Sequence, residues 1–229
     1  MGELKAVLFD VDGTIARPGP EFGGEGYRRA GERHGLVLDP ARYDEARAAS
    51  AESLERHPEL AHDEEIWLAF TERIVTGMGG TGPGVQACAL ELTRAWEHSP
   101  NFDLYEDVLP VFEELRAARL QIGLVSNTGR DLHGFAAHHG FSIDAAVGSR
   151  VHGRVKPHPS IFRAVLAQLE LEPAAAAMVG DSLGDDVEGA RAVGLRAFLL
   201  DRDDRHCEVP DRLRDLFALP AALGLPRPG

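Results

Sequence analysis

Four short apolar runs limit how this chain can fold: AVLF at 6–9, IGLV at 122–125, AMV at 177–179 and AFLL at 197–200. None alternates apolar with polar residues, as a strand with one wet face would. Each is continuous, in the manner of strands covered on both faces of a parallel sheet. Each run also stops at polar residues: Asp10, then Ser126 and Asn127, then Gly180 and Asp181, then Asp201. Helical stripes separate the later runs. Val108, Val111, Phe112 and Leu115 form one, and Val187, Ala190 and Val193 form another. Ile161, Phe162, Val165, Leu166 and Leu169 form a third, opened by Pro159 at a first-turn position. Alternating strand and helix predicts an α/β class: a Rossmann-like parallel sheet with helices on both faces. In such sheets ligands bind at the carboxyl ends of the strands, where the polar stops gather.

Residues 16–104 break this rhythm. No strand-like run occurs there, while Ile66, Phe70 and Ile74, then Val85, Ala89, Leu92 and Trp96, keep helical spacing. ARPGPEFGG at 16–24 and HSPN at 98–101 flank the segment. The pattern predicts a core of residues 1–15 and 105–229 interrupted by an all-helical cap, residues 16–104. Within it, GMGGTGPG at 77–84 lacks the Lys-Ser/Thr ending of a phosphate loop and reads as a connection between helices. Arg28, Arg29 and Arg33 read as a solvated helix face.

The formal net charge is −13, with 24 basic residues against 37 acidic ones. Such a chain is a poor partner for a nucleic-acid polymer, which is held mainly by Lys and Arg. No run approaches the ~18 apolar residues of a membrane span. The opening MGELKAVLFD lacks the apolar stretch of a leader, so a cytoplasmic location without membrane attachment is expected. Cys88 and Cys207 lie far apart outside any CxxC pair, which argues against a disulfide framework or a zinc site. The ten histidines show no HExxH spacing, and the adjacent His138 and His139 diverge on a helix. His158 reads as the cap of the helix that opens at Pro159. The C-terminal DRLRDLFALPAALGLPRPG is expected on a sheet edge or on a partner, in a monomer or homodimer.

The polar stops carry the chemistry. Asp10 and Asp12 are two residues apart in extended chain, so both carboxylates reach one side. Like charges this close split their proton affinities, which suits one ionised nucleophile and one proton donor. Gly13 then permits a sharp bend. GDSLGDDVEGA at 180–190 places Asp181 at a strand end and Asp185 and Asp186 at the start of a helix. Several carboxylates with waters and a phosphate oxygen form the kind of shell that Mg²⁺ takes. SNTG at 126–129 offers a hydroxyl and an amide ahead of a helix start, fit for a phosphate oxygen or for a helix cap. All basic residues but Lys5 and Lys156 are arginine. An internal lysine at 156 therefore points to a specific use, as a compact charge beside phosphate and carboxylate.

In order and spacing these four pieces resemble the haloacid dehalogenase superfamily. Its DxDGT motif stands here as Asp10-Val11-Asp12-Gly13-Thr14, its strand-ending Ser/Thr as Ser126, its Lys-Pro as Lys156-Pro157, and its GDS with a following acid as Gly180-Asp181-Ser182 with Asp185 or Asp186. The helical insert is similar to the cap of the branch holding phosphoglycolate phosphatase and the haloacid dehalogenases, in which the acid before a Val is the motif residue, favouring Asp186. The resemblance implies an Mg²⁺-dependent phosphatase acting on a small phosphorylated metabolite through an aspartyl phosphate. Asp10 would be the nucleophile and Asp12 the acid and base. Thr14, Ser126, Asn127 and Lys156 would bind the phosphoryl group. Asp10, Asp12 and Asp181 would hold the metal, with Asp186 behind them. Dehalogenation is disfavoured because a halide leaving group needs no proton donor at Asp12. A phosphomutase of the same family, and a catalytically silent relative, share the motifs.

Overall fold

The computed structural model describes residues 3–54, 56–209 and 212–225. Its strands are β1 (Ala6–Phe9), β2 (Ala16–Pro18), β3 (Phe102–Leu104), β4 (Gln121–Ser126), β5 (Ala145–Gly148), β6 (Ala176–Gly180) and β7 (Arg196–Leu199). The helices of the first half are α1 (Gly24–Arg33), α2 (Tyr43–Glu52), α3 (Glu64–Gly77), α4 (Gly84–Ala95) and α5 (Val108–Ala117). The second half adds α6 (Leu132–His138), α7 (Ser149–His152), α8 (Pro159–Leu169), α9 (Gly189–Ala192) and α10 (Leu219–Leu223). The chain divides into two compact units, Met1–Arg17 with Leu104–Gly229, and Pro18–Asp103. The short strands β2 and β3, at the division, pair with each other.

The first unit holds a five-stranded sheet in the order β5-β4-β1-β6-β7. Every pairing in it is parallel. All four residues of β1 are fully buried because both faces are covered. Ala6 and Leu8 join an apolar cluster with Ile161, Phe162 and Val165 of α8. Phe9 points to the opposite face and meets Phe112 of α5, ring centroids 4.8 Å apart. Phe9 is level with Leu124 of β4 and Val179 of β6. The chain beyond β1 therefore emerges between the carboxyl ends of β4 and β6, which brings Asp10, Ser126 and Asp181 to one edge.

Four elements differ from the sequence expectation, the first two being the short strands β2 and β3, which lie inside the stretch 16–104 expected to be all-helical. β5, Ala145-Ala146-Val147-Gly148, is a fifth strand whose small residues are alternately buried and half-buried at the sheet edge, so it gives no continuous apolar run. The helix expected through Val187, Ala190 and Val193 begins instead as a π-helical segment, Leu183–Glu188, that runs into α9. Such segments are frequent at functional sites. At the C-terminus Leu213 bridges to Leu200 beyond β7, while Leu216 and Leu219 are buried, so this segment closes the sheet edge. Asp211 and residues 226–229 of that stretch lie outside the described residues.

The second unit packs α1 to α4 around its own apolar core, including Tyr27, Ile74, Met78, Cys88 and Leu92. GMGGTGPG joins α3 to α4. The α1 arginines are matched by glutamates: Arg28 with Glu25 and Glu32, Arg29 with Glu21, and Arg33 with Glu91. Cys88 and Cys207 are free thiols. Among the described residues no helix is long and apolar enough to cross a membrane.

Candidate active site

Asp10 takes the first position past β1, where its N–H still donates to Val179 O at 2.9 Å. Its side chain is almost fully buried and both oxygens are used. Lys156 Nζ donates to Oδ1 at 2.5 Å, and Thr14 Oγ1 donates to Oδ2 at 3.2 Å. Thr14, expected on the phosphoryl group, is thus wholly buried with its hydroxyl turned to the Asp10 carboxylate. The loop then closes tightly. Val11 O accepts from the N–H groups of Thr14, Ile15 and Ala16, and Gly13 N donates to Ala16 O. Gly13 has φ +87°, and a Cβ there would lie 2.5 Å from Asp181 Oδ2. Glycine is required both for the left-handed turn and for the approach of the Asp181 carboxylate.

Asp12 is held apart from this group. Its Oδ1 accepts from Arg130 Nη1 at 3.0 Å, and the Arg130 side chain is 1% exposed. The guanidinium of Arg130 lies over the Phe135 ring, 5.3 Å from its centroid. Burial pushes the Asp12 carboxyl up from its ordinary value, with Arg130 opposing and Asp10 adding to the rise.

Lys156 links two acids across 146 and 30 residues of chain, donating to Asp10 and also to Asp186 Oδ1 at 2.6 Å. Burial works against its charge, but Asp10 and Asp186 outweigh burial and raise its pKa. The Asn127 side chain clamps the Lys156 main chain: Oδ1 accepts from Lys156 N at 2.6 Å and Nδ2 donates to Lys156 O at 3.3 Å. Ser126 closes β4 and is 2% exposed. The helix expected straight after SNTG starts later, at Leu132, and its cap is Asp131, which accepts from His133 N. Thr128 accepts from Arg130 N instead, forming the turn that delivers Arg130. His158 caps α8, as its position before Pro159 suggested.

At the end of β6, carboxylate oxygens of Asp10, Asp181 and Asp186 lie within 4.8 Å of one another. Asp186 is buried and also accepts from Ser182 N at 3.0 Å. Gly180 makes room for it, since a Cβ there would collide with the Asp186 carboxylate. Asp185 is half-buried outside this triad, with its N–H on Ser182 Oγ. Burial, then the charges of Asp10 and Asp186, push the Asp181 carboxyl up to about 7. Burial also pushes Asp186 up to about 6, with Lys156 opposing and Asp10 adding to it. Arg205, 58% exposed, approaches Asp181 Oδ2 at 3.6 Å.

Four carboxylates thus face two buried cations, Lys156 and Arg130, and one exposed arginine. Unpaired negative charge of this kind is costly in a low dielectric. An oxygen-only donor set without His or Cys fits a hard divalent cation such as Mg²⁺. Arg130 and Arg205 escaped the sequence reading because arginine is this chain's generic cation. The only signal for Arg130 was its place four residues past Ser126.

Three carboxylates and a lysine thus gather at the carboxyl edge of a parallel α/β sheet, with a fourth acid, Asp12, held on Arg130. The chain belongs to the haloacid dehalogenase-like hydrolase family, whose model matches residues 4–194. It is 27% identical over 208 residues to haloacid dehalogenase-like hydrolase domain-containing protein 3 of Homo sapiens, covering 86% of this chain and 82% of that protein. It is 30% identical over 207 residues to the ribulose-1,5-bisphosphate 5-phosphatase of Halopiger xanaduensis, covering 86% and 84%. Among solved structures, an HAD phosphatase from Thermococcus onnurineus aligns with a TM-score of 0.66 at 29% identity, covering 98% of this chain and all of that one.

Proposed function

We propose that this protein is a cytoplasmic, Mg²⁺-dependent phosphatase that cleaves a small phosphorylated metabolite through a phosphoaspartate at Asp10. The observation that carries this reading is the grouping of Asp10, Asp181 and Asp186 around Lys156, with Asp12 set apart on Arg130. The carboxylates of Asp10 and Asp181 and the main-chain carbonyl of Asp12 would hold Mg²⁺, supported by Asp186, and the ion would neutralise charge on the phosphoryl oxygens.

The chain's own groups divide the work. Asp10 attacks phosphorus with the carboxylate that Thr14 and Lys156 orient, which splits one hard displacement into two easier ones. Lys156 offsets the charge of the incoming dianion as well as that of Asp10. Ser126 and the Asn127 N–H bind the transferring phosphoryl group, while the Asn127 side chain keeps Lys156 in place. Asp12, its proton affinity raised by burial, protonates the departing alcohol and then takes the proton of the water that releases phosphate. The arginine at 130 fixes the direction of that proton transfer. Selection among esters would fall to the helical insert.

Hydrolysis of an aryl phosphate, with and without Mg²⁺, tests the assignment for wild type, Asp10→Asn and Asp12→Asn. Turnover that needs Mg²⁺ and is lost in both variants is expected. A wild-type protein that turns over neither this ester nor a panel of natural phosphate esters would overturn the proposal.

A further inference from the structure

Arg202 lies just past β7, at the same end of the sheet as Asp10, and its side chain is 14% exposed. Its guanidinium forks onto Asp107, with Nη1 to Oδ2 at 2.8 Å and Nη2 to Oδ1 at 2.9 Å. Nη2 also donates to the main-chain carbonyl of Thr14 at 2.9 Å. The same group covers the Tyr105 ring, 3.8 Å from its centroid. Asp107 is 1% exposed and accepts a third hydrogen bond, from Leu216 N at 2.8 Å. Tyr105 donates its own N–H to Ile15 O at 3.2 Å.

One guanidinium therefore ties together three stretches distant in sequence: the loop after β1, the segment that follows β3, and, through Asp107, the C-terminal segment. Thr14 is the junction that matters for chemistry. Its carbonyl is held by Arg202, and its hydroxyl holds Asp10 Oδ2. Stability alone accounts poorly for such a cluster, because desolvating a buried ion pair offsets most of what the pairing returns. Orientation accounts for it better. Only a planar fork can meet a carboxylate on two points and still reach a carbonyl.

We infer that Arg202 is a positioning residue for Asp10, fixing the main chain at Thr14 and so the direction in which Thr14 presents the attacking carboxylate. The inference rests on the phosphatase reading above. Its test compares wild type, Arg202→Lys, Arg202→Met and the Arg202→Met/Asp107→Asn pair in aryl phosphate hydrolysis at saturating Mg²⁺, alongside melting temperature. The pair leaves no uncompensated buried carboxylate, so it separates misfolding from misalignment. All three variants are expected to lose kcat by about 10- to 100-fold, the range a small misplacement of reacting groups produces. KM should stay within about twofold, since uniform binding is untouched. Lysine at 202 should keep the melting temperature near wild type without restoring kcat. Wild-type kcat in a folded variant, or a rise in KM at constant kcat, would overturn the inference alone. A loss of kcat that disappears on cooling in step with refolding would overturn it too. An inactive wild type would instead overturn the phosphatase reading and take this inference with it.

Discussion

The carboxyl edge of the sheet and the face of α1 both crowd acids against bases, yet they do opposite things with charge. On α1 the arginines and glutamates are exposed and match one another within the same unit, as with Arg28 against Glu25 and Glu32. At the sheet edge Asp10, Asp186 and Lys156 are nearly sealed from water, and the acids outnumber their partners. Exposed pairs are screened and carry little energy. Buried charges must be satisfied by something, and a surplus that the protein leaves in place identifies where an ion or substrate belongs. Burial, more than the number of charges, separates a site from a solubilising surface.

The sharpest way to break this contrast is to remove the buried cation. Lys156→Met leaves Asp10 and Asp186 facing each other without the cation that pairs them. We expect activity to vanish and the fold to lose about 3–5 kcal/mol, read by denaturant unfolding. A variant as stable as wild type would show that the edge tolerates charge as readily as α1 does.

A smaller effect follows from pH. The Asp181 and Asp186 carboxyls are raised to about 7 and about 6, above their ordinary value. The metal-free folded protein binds these protons more tightly than the unfolded chain does. The stability they contribute is therefore present at low pH and lost as pH rises through about 6 to 7. Metal-free protein should melt at a lower temperature at pH 8 than at pH 5.5. Mg²⁺ should raise the melting temperature more at pH 8, and Asp181→Asn should flatten the slope. A metal-free melting temperature that rises across this window would contradict the account.

The smallest effect is expected on α1. Arg33→Ala breaks the exposed pair with Glu91 and should cost less than about 1 kcal/mol, with kcat unchanged. A large loss of activity would mean that this face meets substrate.

The same contrast explains what could be read from the sequence. β1, β4, β6 and β7 were legible because burial on both faces writes a continuous apolar run. β5 was not, since Ala145 and Val147 are buried while their neighbours are half-buried at an edge. Asp10 and Asp12 stood out by their spacing, and Lys156 by its rarity among arginines. Arg130 and Arg202 were hidden by the same composition: nothing local marks which of many arginines will be buried against an acid far along the chain. The π-helical turn at Leu183–Glu188 was equally silent, because one extra residue per turn hardly alters an apolar stripe. The acid before Val187 already favoured Asp186 over Asp185, and the geometry brings Asp186, not Asp185, into the acidic triad.

The central claim is that Asp10 becomes phosphorylated, and rapid quenching during turnover with Mg²⁺ and an aryl phosphate tests it most directly. Peptide mass mapping should find a hydroxylamine-labile phosphoryl group on the peptide that carries Asp10, absent from Asp10→Asn. Turnover without any acyl phosphate, or a phosphoryl group on a different residue such as Asp181, would contradict it.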